Sequence, residues 1–142
     1  MIQQAGTGVS PGVALGEVLI YQPYVPQITM ELLSEEQIKE ELLHYSSALA
    51  STKAELTQRV ESLQDPAEQD ILYAHLDLLQ DPSVQEEIQT MIAEQRFHGD
   101  RAADQAFEQA AAMLEDCGDP LLAERAADLR DVKLRLLRNY AG

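Results

Sequence analysis

Three Asp-Pro pairs punctuate this chain: Asp65-Pro66, Asp81-Pro82 and Asp119-Pro120. Pro cannot continue a helix that precedes it, and it disfavours helical backbone at the residue before it. It is well placed at the first position of a new helix, where its missing amide costs nothing. Asp just ahead of it can accept a hydrogen bond from a free first-turn amide. Asp65-Pro66 and Asp81-Pro82 thus read as helix restarts. Asp119-Pro120 lies in the break Cys117-Gly118-Asp119-Pro120. The chain must therefore fold as several helices and not as one rod.

The segments between these marks carry helical periodicity. Ser34 and Gln37 form a capping box ahead of Ile38, Leu42, Tyr45, Leu49, Leu56, Val60 and Leu63. That spacing predicts a long helix with one apolar seam. A second helix carries Ile71, Leu72, His75, Leu78 and Leu79, and a third Val84, Ile88, Met91 and Ile92. Gly99-Asp100 is expected to break the third and cap an Ala-rich fourth from Arg101 to about Asp116. The last runs from about Leu121 to Tyr140, with Ala126, Leu129, Val132, Leu136 and Tyr140 on one face. Its acids Asp128 and Asp131 fall early and its bases Lys133, Arg135 and Arg138 late, as the helix dipole favours.

The first thirty residues differ. They contain Gly6, Gly8, Gly12, Gly16, Pro11, Pro23 and Pro26 and almost no charge. Val13 to Tyr21 reads as a strand, too short to fold alone. The expected fold is mainly α: an antiparallel bundle of four to five helices in two hairpins over 31–142, preceded by a strand segment over 1–30 without a sheet to join.

With 25 acids against 10 bases in 142 residues, the formal charge is −15. Such a surface repels nucleic acid and anionic membrane, and attracts a partner with a basic patch. From Val60 to Gln95 there are nine acids and no Lys or Arg, interleaved with Leu76, Leu78, Leu79 and Val84. Two helices meeting at a Pro-marked elbow, apolar and acidic, make a candidate docking face. No stretch approaches a membrane span, and the opening residues lack a secretory pattern. Cys117 is the only cysteine and sits among acids, so it is read as structural, in a reduced cytoplasmic setting.

Catalytic motifs are absent. There is no Gly-x-x-x-x-Gly-Lys, Gly-x-Ser-x-Gly or helix-opening Gly-x-Gly-x-x-Gly. Glu41 and His44 share a helix face, but a di-iron bundle needs a second such pair, so both are read as surface residues and no metal is assigned. His98 is placed at a helix end that favours positive charge. His75 is expected to be partly buried with one hydrogen bond, near Asp77 and Asp81.

Three segments in order carry a family likeness. Ser10-Pro-Gly-Val-Ala-Leu-Gly, Ala74-His75-Leu76-Asp77-Leu78-Leu79-Gln80-Asp81-Pro82 and Glu124-Arg125-Ala-Ala-Asp-Leu-Arg-Asp resemble the amino-terminal region of Enzyme I. Enzyme I is the phosphoenolpyruvate–protein phosphotransferase of the bacterial sugar phosphotransferase system. The resemblance implies a helical domain that docks the phosphocarrier HPr through Asp70, Ala74, Asp77, Leu78, Asp81, Val84, Leu122 and Arg125. It implies that the opening strand belongs to an α/β domain carrying the phosphohistidine, into which the bundle is inserted. The Gly-Gly-x-x-(Ser/Ala)-His segment of that domain is not found here, and none of His44, His75 or His98 matches it. Magnesium and a homodimer formed by the carboxy-terminal domain are implied for the intact enzyme, and no cofactor for this segment. Asp77 stands where the family usually has Met. Tyr73, Pro66 and Ala67 also replace residues that are often acidic. Two other readings are an Enzyme I-like module of a dihydroxyacetone phosphotransferase and a helical adaptor for a basic protein.

Overall fold

The computed structural model describes residues 24–142. The strand expected over Val13 to Tyr21 lies outside the described residues. Five helices follow in order: α1 Ile38–Ser62, α2 Pro66–Leu79, α3 Pro82–Glu94, α4 Gly99–Asp116 and α5 Pro120–Ala141. A single 3-10 turn, Glu35–Gln37, leads into α1.

The local chemistry of the boundaries follows the sequence. Gln37 Oε1 accepts from Ser34 N at 2.9 Å, closing the capping box. Asp65 accepts from Ala67 N at 3.1 Å, Asp81 from Ser83 N at 2.8 Å and Asp119 from Leu121 N at 2.8 Å. Gly118 between α4 and α5 has φ +74°, a left-handed conformation that costs glycine nothing.

Two boundaries differ from expectation. His98, and not Gly99-Asp100, precedes the first turn of α4, and helical backbone begins at Gly99. His98 therefore stands at a helix amino terminus, where the dipole disfavours positive charge. The carboxy-terminal end of α3 is at Glu94, four residues earlier.

The core contains Leu56, Leu79, Ile88, Ile92, Phe107, Val132 and Leu136, each almost fully buried. Burial of side chains of this size contributes about 1.5–3 kcal/mol each relative to exposure. α4 packs most extensively on α5. Ala102, Ala103, Ala106 and Ala111 on α4 and Ala126 on α5 are buried, and their small side chains permit that close approach. Across the outer edge of this pair, Arg130 meets Glu108 at 2.8 Å, and Lys133 meets Asp104 at 3.0 Å. α1 packs on α2 and α5, and α3 on α4. Among the described residues α2 and α3 share no packed face. They meet only at the Asp81-Pro82 elbow.

The seam of α1 is not purely apolar. Tyr45, Leu56 and Val60 are buried as the periodicity predicts, but Leu42 and Leu49 lie at its edge. Ala48 and Thr52 occupy its centre. Thr52 Oγ1 donates to Ala48 O at 2.8 Å and accepts from Asn139 Nδ2 at 2.9 Å, so its burial leaves no polar atom unpaired.

The incoming chain is tied to the start of α4. Asp100 is buried and accepts from both Thr29 N, at 2.9 Å, and Thr29 Oγ1, at 2.8 Å. Leu33 N donates to Arg96 O at 2.8 Å. Glu41 is also buried, against the expectation of a surface residue. Its Oε2 accepts from Gly99 N at 2.7 Å and from the Tyr140 hydroxyl. A carboxylate at the amino terminus of α4 suits the helix dipole.

Candidate docking face

The expected docking residues come from α2, the elbow, the first turn of α3 and the start of α5. On α2, Asp70, Ala74 and Asp77 recur at i, i+4 and i+7, and Asp81 continues the stripe into the elbow. Asp70 and Asp77 are exposed, and Ala74 and Asp81 are half-buried. Asp81 has a structural duty as well, since its carboxylate caps α3. α5 packs against α2. Near its start Leu122 is half-buried and Arg125 exposed.

Leu78 and Val84 are placed differently. They are 7 % and 6 % exposed and belong to the core. A rigid partner could reach little of either. The apolar area that α2 does expose is that of Ile71 and Tyr73, 57 % and 53 % accessible, and Leu121 is exposed in the first turn of α5. Periodicity could not single these out, because apolar residues run around most of the circumference of α2.

Arg125 stands apart from the other bases of α5. Arg130, Lys133 and Arg135 pair with acids of α4 or α1. Arg138 lies over the Tyr24 ring, 5.3 Å from its centroid. Among the described residues Arg125 has no such partner. Positive charge in the first turns of a helix is mildly unfavourable, so local stability does not account for it.

His75 links the two helices. Its side chain is 12 % exposed, and its Nε2 lies 3.4 Å from Asp128 Oδ1, one turn beyond Arg125. That separation is longer than an ordinary hydrogen bond, and the buried Nε2 has no hydrogen-bond partner among the described residues. The expected single hydrogen bond is therefore not made. The acid that His75 faces is on α5, and not the Asp77 or Asp81 of its own stretch of chain.

The family described as PEP-utilising enzyme, N-terminal, matches residues 5–125. The chain belongs to that family. Its relatives include the phosphoenolpyruvate-protein phosphotransferases of Haemophilus influenzae, 28 % identical over 97 % of this chain, and of Priestia megaterium, 30 % identical over 96 %. It covers 24 % of each of those proteins, so the chain spans about a quarter of the relatives it matches. A solution structure of Enzyme I is 31 % identical and superposes with a TM-score of 0.76 over 84 % of this chain and 49 % of that one. The likeness to the Enzyme I amino-terminal region read from the three segments thus holds in fold as well as in sequence. No helix among the described residues is long and apolar enough to cross a membrane.

Proposed function

We propose that this chain is the HPr-docking domain of an Enzyme I-type phosphotransferase acting in the cytoplasm. In the intact protein, phosphate would pass from phosphoenolpyruvate to a histidine of a neighbouring α/β domain and then to HPr, with magnesium serving the phosphoenolpyruvate step. Val13 to Tyr21 would complete the sheet of that domain. The observation that carries the reading is the packing of α5, whose start carries Arg125 without an ion pair among the described residues, against the acidic α2.

The role of the face is recognition. Asp70, Asp77 and Asp81 supply negative field, which speeds encounter with a basic partner and weakens as salt rises. Ala74 and Leu122 provide a shallow apolar floor. Arg125 contributes a directed charge at its rim. Leu78 and Val84, buried in the core, offer a partner little surface. Asp77, in place of an apolar residue, shifts recognition towards a carrier with a matching base.

Calorimetry with HPr tests the reading on three variants, Asp77→Lys, Ala74→Arg and Arg125→Glu. Each substitutes a residue that is at least partly accessible, and circular dichroism checks the fold. Ala74→Arg and Arg125→Glu are expected to weaken binding about tenfold or more, equal to about 1.4 kcal/mol. Asp77→Lys should weaken binding at low salt and flatten the salt dependence of the affinity. A folded wild type that does not bind HPr would replace this reading with the adaptor one.

A further inference from the structure

We propose that His75, Asp128 and Asp131 form a zinc site that clamps α2 to α5. This inference does not depend on the docking reading. It starts from the buried Nε2 of His75, which has no hydrogen-bond partner. A buried ring nitrogen left unpaired is unfavourable, and a native site normally supplies it with a donor, an acceptor or an ion.

The spacing fits a metal better than a hydrogen bond. Nε2 stands 3.4 Å from Asp128 Oδ1. Nitrogen–oxygen hydrogen bonds run roughly 2.7–3.2 Å. In a tetrahedral site with bonds of about 2.0–2.1 Å, two ligand atoms stand roughly 3.3–3.4 Å apart. The third ligand comes from Asp131, three residues after Asp128 and so on the same face of α5. One ligand atom from each of the three residues lies within 4.8 Å of the others.

The donor set selects the ion. One imidazole with two carboxylates suits a first-row transition ion such as zinc, whereas magnesium and calcium prefer all-oxygen shells. The two carboxylates neutralise the dication. Asp131 is exposed and Asp128 is 34 % accessible, so an ion can enter from that side, with water in the fourth position. The other histidines offer a rival. His44 Nδ1 and His98 Nδ1 lie 3.6 and 4.0 Å from Glu41 Oε1. However, the His44 ring is stacked on Tyr140 at 4.1 Å, and its Nε2 lies 3.1 Å from Tyr140 O, so that ring is engaged in packing.

The test is zinc titration of the chelator-stripped chain against a chromophoric chelator. Wild type should take one zinc per chain, and its melting temperature should rise with zinc. Asp131→Asn, at an exposed position that does not threaten folding, and His75→Gln should each weaken binding by at least about tenfold. The double variant His44→Gln/His98→Gln should keep affinity within about twofold of wild type, since neither residue is a ligand. In nitrogen-detected spectra of wild type, zinc should shift the His75 Nε2 resonance. The proposal is overturned if folded wild type takes no zinc. It is equally overturned if Asp131→Asn binds like wild type, or if binding follows His44 and His98.

Discussion

Tyr140 donates its hydroxyl to the buried carboxylate of Glu41, ninety-nine residues earlier in the chain. The same Glu41 oxygen accepts from Gly99 N at 2.7 Å. One side chain thereby joins α1, the first turn of α4 and the last turn of α5. A Cβ on Gly99 would come within 2.9 Å of Tyr140 Cε2 and 3.1 Å of Glu41 Oε2, so any larger residue there would have to displace one of these side chains.

Removing the carboxylate should therefore loosen both termini of the bundle. Glu41→Ala leaves the buried Gly99 amide and the half-buried Tyr140 hydroxyl without an acceptor, and should cost about 2–4 kcal/mol. Tyr140→Phe removes one donor and should cost about 1–2 kcal/mol. Urea unfolding of both variants measures this, and a double variant little worse than Glu41→Ala would confirm a shared network.

Leu78→Ala should act on stability before it acts on any partner. Leu78 is 7 % exposed within the core. Its truncation should cost about 2–4 kcal/mol through lost burial and a residual cavity. Arg125→Ala, at an exposed position without an ion pair among the described residues, should leave the urea midpoint close to wild type. Equal stability of the two variants would show that Leu78 is less enclosed than its burial indicates.

Acid should release the α4–α5 edge. Hydrogen bonds from Arg130 hold the Glu108 carboxyl below its ordinary value of 4.5. The unfolded chain then binds this proton more readily than the folded one. The pair's contribution is fully present above about pH 4.5 and is lost as pH falls through the lowered folded value. Urea midpoints of wild type and Arg130→Met should differ at neutral pH and converge under acid. A gap that persists after the carboxylates are protonated would assign the effect to packing instead.

Alkali should act through two tyrosines. Burial raises the Tyr45 hydroxyl above its ordinary 10.0, against a smaller opposing effect of its bond to Gln85. Burial, followed by the bond to Glu41, raises Tyr140 likewise. Stability held by both is complete below pH 10 and declines as pH rises beyond it, because the unfolded chain loses these protons first. Phenolate absorbance should show a late phase coincident with loss of helical circular dichroism. That phase should shrink in Tyr45→Phe and Tyr140→Phe.

What the sequence determined by itself is what neighbouring residues decide. Asp65, Asp81 and Asp119 cap the helices that follow them because the amides they bind lie two residues ahead. Apolar spacing likewise placed Tyr45, Leu56, Ile88, Leu129 and Leu136 in the core. The acidic run from Val60 to Gln95 was legible as a charge pattern, and the family as three segments in order. The tertiary structure alone decided which apolar residues of α2 face inwards, burying Leu78 and exposing Ile71 and Tyr73. It alone buried Glu41, Thr52 and Asp100, whose partners lie 87 to 99 residues away for Glu41–Tyr140 and Thr52–Asn139, and 71 for Asp100–Thr29. It also set His75 against Asp128, on another helix. Local pattern records the period of a helix but not the surface it meets. A polar side chain is buried only where a distant donor or acceptor satisfies it, and that partner is fixed by the packing of the whole bundle.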